Sequence, residues 1–128
     1  MAWRAFGHMT GHWVHRGYGL FFFADKATGE LLGFAGPWFP EGWPEPELGW
    51  SVISGAAEGK GYAFEAASAA RIWARDALGW TTAISLIDPA NTRSQKLARA
   101  LGCLPEGPGE VMGKPCTIWR HPALGGLV

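Results

Sequence analysis

Hydrophobic positions in this chain fall into short runs broken by glycine and proline, with two longer stretches that keep a helical period. Residues 18–24 and 31–36 are apolar and aromatic, and the polar segment 25–30 between them predicts a β-hairpin. Residues 36–46 hold Pro37, Pro40, Pro44 and Pro46 around Trp38, Phe39 and Trp43, which reads as a loop. Residues 47–53 read as a strand. Residues 62–78 read as a helix with Ala66, Ala70, Trp73 and Ala77 on one face, closed by Gly79. A buried strand over 81–87 stops at Asp88-Pro89, and Asn91 is placed to cap a helix over 92–101 that Gly102 closes. Residues 104–113 are rich in glycine and proline and receive no element, and 116–120 form a last short strand. Residues 3–13 suggest a short helix that Gly7 and Gly11 weaken. Without a repeat or a linker, the reading is one α/β domain spanning 1–128.

Composition narrows this picture. At 128 residues and 48% hydrophobic content the chain can bury a core, and its apolar runs are too short to cross a bilayer. No signal peptide is read, so a cytoplasmic protein is expected. Cys103 and Cys116 lack ligand spacing and are expected to be reduced structural thiols. His8, His12 and His15 could share a helix face, but His8-Met9-Thr10-Gly11-His12 lacks the glutamate of a zinc protease motif, and no metal is expected.

The formal net charge is zero, yet it is unevenly distributed. Residues 1–58 carry three Lys/Arg against six acids, and residues 59–100 carry six against three. The basic half contains a glycine-rich turn, Glu58-Gly59-Lys60-Gly61, between a strand and a helix. Amides of Gly59, Lys60 and Gly61 at the mouth of that helix would favour a phosphate. The plainer reading is a tight turn and nothing more. A Walker loop is excluded because Ser54 and Gly61 stand where it needs glycine and a hydroxyl. A dinucleotide fingerprint is disfavoured because Phe64 stands where its third glycine belongs. No stripe for nucleic acid is present.

Three segments together carry a resemblance: Glu47-Leu48-Gly49-Trp50, Glu58 through Ala66, and Asp88-Pro89-Ala90-Asn91-Thr92-Arg93-Ser94, with Leu101-Gly102 closing the last helix. The combination resembles the GNAT superfamily of acyl-CoA-dependent N-acetyltransferases, and looks like its branch acting on ribosomal-protein N-termini and related amines. The resemblance covers residues 18 to about 120. It implies a mixed, mostly antiparallel sheet flanked by helices, with a splayed strand pair for acyl-CoA. It also implies that the family's first strand and helix should precede residues 3–13, so this chain reads as short at its N-terminus.

By the same resemblance, acetyl-CoA is the cosubstrate. Glu58, Gly59, Lys60, Gly61, Tyr62 and Ala63 would hold its pyrophosphate, and the edge of Ser51, Val52 and Ile53 would pair with its pantetheine arm. Asn91 would contact the cofactor or merely cap its helix, and Arg93 would lie near phosphate or in solvent. The chain departs from the family at Ala56, where a polar residue is usual, and at Cys103, where phenylalanine is usual. Its two tyrosines, Tyr18 and Tyr62, do not stand where many members place a proton donor.

Acetyl transfer to an amine needs a proton acceptor, a polarised carbonyl and a way to stabilise the departing thiolate. Glu47, at the head of its strand, is the candidate base, with Glu45 and Glu41 behind it; its plain alternative is an exposed strand-end glutamate. Ser94 is the remaining hydroxyl for the thiolate, or simply an early helix residue. A strand amide near Val52 could polarise the carbonyl. The aromatic loop with Glu41 and Glu45 could attract a protonated amine, or serve as core or as the contact of a homodimer. The expected partner is a primary amine, on a small molecule or a peptide N-terminus. The leading expectation is an N-acetyltransferase working by direct attack in a ternary complex; the alternative is a non-catalytic acyl-CoA-binding module, and a third reading is a purely structural domain.

Overall fold

The structure is a computed structural model that describes residues 2–53 and 61–127. Helix α1 (Ala2–Arg16) leads into strands β1 (Phe21–Ala24), β2 (Leu31–Trp38) and β3 (Glu47–Val52). Helix α2 (Tyr62–Leu78), strand β4 (Ile84–Ile87), helix α3 (Thr92–Ala100) and strands β5 (Leu104–Val111) and β6 (Lys114–Arg120) follow. A 3-10 turn, Leu124–Gly126, lies near the end of the chain. The six strands form one sheet in the order β1-β2-β3-β4-β6-β5. Every neighbouring pair is antiparallel except β3 and β4, which run parallel and pair only at Glu47 and Ile84. This is the mixed, mostly antiparallel architecture with a splayed strand pair that the resemblance implies.

Local chemistry explains most of the boundaries. Asp25 accepts the amides of Ala27 and Thr28 in the hairpin turn, and Gly29 supplies a positive φ. Gly79, in the left-handed region at φ 70°, ends α2 by donating its amide to Arg75, while Trp80 donates to Ala74. The Asn91 carboxamide accepts the amide of Ser94 and caps α3.

Three expectations need correction. The loop expected over 36–46 begins later, because Gly36, Pro37 and Trp38 form the last rungs of β2. Pro37 fits there: it stands opposite Leu48, whose polar groups face β4, so no donor to β3 is lost. The glycine- and proline-rich segment 104–113 is the edge strand β5 and its turn. An outermost strand tolerates Pro105 and Pro108, and Met112 and Gly113, both at positive φ, close the hairpin. The buried face of α2 is Ala67, Ala70, Arg71 and Ala74, rotated from the predicted stripe because an arginine is drawn inside.

Helix α1 forms through Gly7 and Gly11 because its C-terminal half is tied to the sheet. The His12 ring bridges two loops: Nδ1 donates to the Tyr18 carbonyl and Nε2 accepts the Phe39 amide, both at 2.8 Å. Burial holds its pKa below the ordinary histidine value. Trp13 donates to Leu20 and Arg16 donates to Phe39. His12 therefore packs as part of the fold, and no group of three metal-ligating side chains exists among the described residues.

Alanines bring α2 close to the sheet. Ala67 packs with Ile87, Ala98, Leu101, Cys103 and Trp119, and Ala70 packs with Ala35, Leu48, Ala83 and Leu124. Both cysteines are buried and unbridged, and burial pushes the Cys103 thiol up to about 11. Strand β2 passes β1 at van der Waals limits: a Cβ on Gly36 would lie 2.6 Å from the Gly19 carbonyl oxygen and 2.9 Å from the Leu20 Cα. Gly36→Ala is therefore expected to destabilise by about 2 kcal/mol or more in denaturant unfolding. A loss below about 0.5 kcal/mol would contradict this packing.

Candidate active site

Strand β3 carries the site because it loses its neighbour after one rung. Ile53 donates its amide to Leu32, which sets the alternation along β3: the backbone groups of 49, 51 and 53 face β2, and those of 48, 50 and 52 face β4. The first parallel rung forms, with the Ile84 amide on the Pro46 carbonyl at 3.2 Å. The next rung would join the Leu86 amide to the Leu48 carbonyl. Side chains take both ends instead. The Leu86 amide donates to Glu47 Oε2 at 2.8 Å, and the Leu48 carbonyl accepts the Ser85 hydroxyl at 2.7 Å. Beyond this point the strands diverge, leaving the backbone edge of Trp50 and Val52 toward a cleft.

Ser85 is held by a chain of defined polarity. Arg71 Nη1 donates to His121 Nδ1 at 3.1 Å and to the Leu101 carbonyl at 2.7 Å. An arginine can only donate, so the His121 proton sits on Nε2 and is given to Ser85 Oγ at 2.8 Å, which turns the hydroxyl proton to Leu48. All three side chains are buried. Burial, with Arg71 and Arg120 nearby, pushes the His121 pKa down to about 3, so the ring stays neutral.

Glu47 is 7% exposed, which corrects the picture of an exposed strand-end glutamate. Its Oε1 accepts the Trp43 indole N–H at 2.8 Å while Oε2 takes Leu86. Burial outweighs these two bonds and lifts its pKa to about 7. Glu45 is engaged elsewhere: both its oxygens accept from Arg120, which holds its pKa below the usual value and also grips Glu106. Glu41 is exposed and lies 3.7 Å from Arg16.

Two cavities open along the splay, of about 380 and 510 Å³. The first, walled by aromatic and aliphatic side chains, reaches His8, Glu47, Ser85 and Asp88 and, among the described residues, includes no lysine or arginine. The second runs between β3, the start of α2 and α3; Arg93 and Lys96 line it, and no acid does among the described residues. Trp50, Asn91 and Ser94 line both cavities and mark their junction. The Trp50 indole donates to Ser94 Oγ at 3.3 Å, which leaves the Ser94 proton for another acceptor.

The expected cofactor residues divide in three ways. Val52 turns its backbone to the second cavity, whereas Ser51 and Ile53 turn theirs to β2, so their amides are not the ones offered to a ligand. Ser51, Val52, Gly61, Ala63, Asn91 and Arg93 line the second cavity. Tyr62 does not; its hydroxyl donates to Asp25 at 3.4 Å, in the hairpin turn. Glu58, Gly59 and Lys60 lie outside the described residues. Gly61, at φ 79°, brings no side-chain cap to α2, so the helix meets the cavity with amides that have no capping side chain. Val52 and Phe64 add exposed apolar surface to the same cavity. A long ligand with an apolar arm and a polyanionic end fits this donor set.

Sequence reading missed Arg71, Ser85 and His121. Arg71 is one of the six Lys/Arg of residues 59–100, and its place four residues from Ala67 on an alanine face was the available signal.

The sequence matches the family model described as acetyltransferase (GNAT) domain over residues 1–104. An acetyltransferase from Agrobacterium tumefaciens str. C58 is 32% identical, with a TM-score of 0.82 over 94% of this chain and 70% of that one. The ribosomal-protein-S5-alanine acetyltransferase of Vibrio fischeri is 18% identical, with a TM-score of 0.73 over 91% of this chain and 67% of that one. The yncA structure from Salmonella typhimurium, solved with its cofactor acetyl-CoA, is 20% identical, with a TM-score of 0.69 over 92% and 71%. Comparison with curated proteins finds no match.

The two perturbed groups beside the splay give opposite pH slopes. His121, moved from 6.5 to about 3, favours folding above pH 6.5, and that contribution is lost as pH falls toward 3. Glu47, moved from 4.5 to about 7, favours folding below pH 4.5, and that contribution is lost as pH rises through 7. Between pH 4.5 and 6.5 the slopes oppose each other. Thermal melts should show Glu47→Gln losing stability on acidification more steeply than the parent, and His121→Gln losing less or gaining. The same slope in all three proteins would contradict the assignment.

Proposed function

Because the chain belongs to the GNAT acetyltransferase family, we propose that it transfers acetyl from acetyl-CoA to a primary amine by direct attack in a ternary complex. The observation that carries this reading is the meeting of an acid-lined and a base-lined cavity at the splay of β3 and β4. A polyanionic cofactor is favoured on one side and a cationic amine on the other.

Acetyl-CoA, when bound, supplies the activated acyl carbonyl and the thiolate leaving group. The residues then divide the work. Backbone groups of Trp50 and Val52 pair with the pantetheine arm, and one of their amides polarises the carbonyl. The start of α2 at Gly61 to Ala63, extended by Glu58, Gly59 and Lys60, holds the pyrophosphate, with Arg93 and Lys96 beside it. Glu47 accepts the proton that the ammonium must lose, directly or through water, and its pKa of about 7 suits a base at neutral pH. Ser94, its oxygen already taken by Trp50, directs its proton toward the departing sulfur. A serine is too weak an acid to surrender that proton outright, and a thiolate with a pKa near 8.5 needs only the hydrogen bond before water protonates it. Asn91 orients Ser94 through the helix cap.

The alternative of a non-catalytic acyl-CoA-binding module is favoured by one observation: neither tyrosine lines either cavity. Calorimetry and turnover separate the two. Acetyl-CoA and desulfo-CoA should both bind, ATP should not, and thioester should be consumed when amines are supplied. Binding without turnover across amine classes would favour the module, and no binding would overturn both readings.

Gly61→Asp should abolish cofactor binding, because it strains a left-handed position and puts a negative charge at the anion end of the cavity. Unchanged affinity in the folded variant would remove the anion-site assignment. For the base, kcat/KM should rise with pH through a value near 7, and Glu47→Gln should flatten that limb and cost about 10²-fold or more. Parent-like rates in Glu47→Gln would exclude the role.

A further inference from the structure

The acid-lined cavity differs from a general amine site in its walls. Phe34, Trp38, Trp43, Met9 and Leu20 line it, with Glu47 and Asp88 among its polar groups. Its indoles are held in place before any ligand arrives. Trp38 stacks on His12 at 4.4 Å and 15°, and that ring is fixed by hydrogen bonds at both nitrogens. Trp43 is tied to Glu47, and Trp50, at the junction, is tied to Ser94. Three oriented aromatic planes around one cavity make a rigid apolar box, which binds a flat hydrophobic body at low ordering cost.

The polar groups are as selective as the walls. Among the described residues, the lining contains two carboxylates, one imidazole (His8) and no lysine or arginine. A free amino acid entering amine-first would carry its own carboxylate toward Glu47 or Asp88, where the described lining offers a single imidazole, His8, and no lysine or arginine to pair it. A polyamine would bring further charges against apolar walls. A peptide would bring backbone amides and carbonyls into the same walls, where the Trp43 and Trp50 indole N–H groups are already committed.

Resting on the acetyltransferase reading, we infer that the acceptor is an arylalkylamine: a primary amine on a short aliphatic tether, bearing an aromatic ring and no carboxylate. The ring lies among Phe34, Trp38 and Trp43, where the faces also attract the ammonium group, and the nitrogen points to Glu47 at the junction with the cofactor cavity.

The test is a binding competition that does not require turnover. Phenethylamine, phenylalanine, spermidine and an alanine-initiated tripeptide are titrated by calorimetry into the protein saturated with desulfo-CoA, and thioester consumption is followed separately with acetyl-CoA. Phenethylamine should bind, with phenylalanine weaker by about tenfold or more, the loss expected for an unpaired carboxylate. Phe34→Ala should weaken phenethylamine by about tenfold with acetyl-CoA affinity unchanged, which also reports that the variant is folded. Equal or tighter binding of phenylalanine, spermidine or the tripeptide would overturn the inference while leaving acetyl transfer standing. Phenethylamine binding without thioester consumption would support the cavity assignment and count against the transferase reading. Failure of phenethylamine to bind in a protein that binds acetyl-CoA would overturn the inference alone.

Discussion

One missing backbone rung organises this molecule. Where β4 would continue along β3, the Leu86 amide is taken by the Glu47 carboxylate and the Leu48 carbonyl by the Ser85 hydroxyl. A buried unpaired amide or carbonyl costs about 1–3 kcal/mol, so parting two strands inside a sheet is unfavourable unless other groups satisfy them. Here both are satisfied by side chains from the residues next to the break, and the strands can diverge at little cost. The cleft is the consequence.

The same two side chains tie the opening to the rest of the fold. Ser85 answers to His121 and, through it, to Arg71 on α2, whose other hydrogen bond closes the end of α3 at Leu101. Glu47 answers to Trp43 in the loop that Arg120 anchors through Glu45. The helix supplying amides to one cavity and the loop supplying aromatic walls to the other are thus both fixed with reference to the split. This explains how an acidic and a basic cavity, each unremarkable alone, come to meet at Trp50 and Ser94. It also gives Glu47 two duties, as acceptor for the parted strand and as proposed proton acceptor, and burial produces the raised pKa that suits the second.

Much of this was legible in the sequence, for reasons that differ by element. The hairpin over β1 and β2, the limits of α2 and the Asn91 cap are local, set by turn residues and caps within a few positions. The splayed pair at β3 and β4 was not a local property; it was implied by the family resemblance that Glu47 to Trp50, Glu58 to Ala66 and Asp88 to Ser94 carry. The glycine- and proline-rich segment 104–113 hid strand β5, because strand propensity assumes pairing on both sides and an edge strand relaxes that condition. Ser85 and His121 were out of reach because they lie far from Arg71 in sequence, and the one local sign for Arg71 was its place four residues from Ala67 on an alanine face. Glu47 was singled out for its place at the strand head, but its burial depends on Trp43 folding over it, which sequence spacing did not reveal.

The central claim is that the parted edge of β3 is where the cofactor lies. Amide hydrogen exchange of Ser51, Val52 and Ile53, resolved residue by residue with and without desulfo-CoA, tests it directly. Ser51 and Ile53, bonded to β2, should exchange slowly in both states, whereas Val52 should exchange fast in the free protein and slow on binding. Protection of Val52 in the free protein, or cofactor binding that leaves Val52 unprotected, would contradict the account.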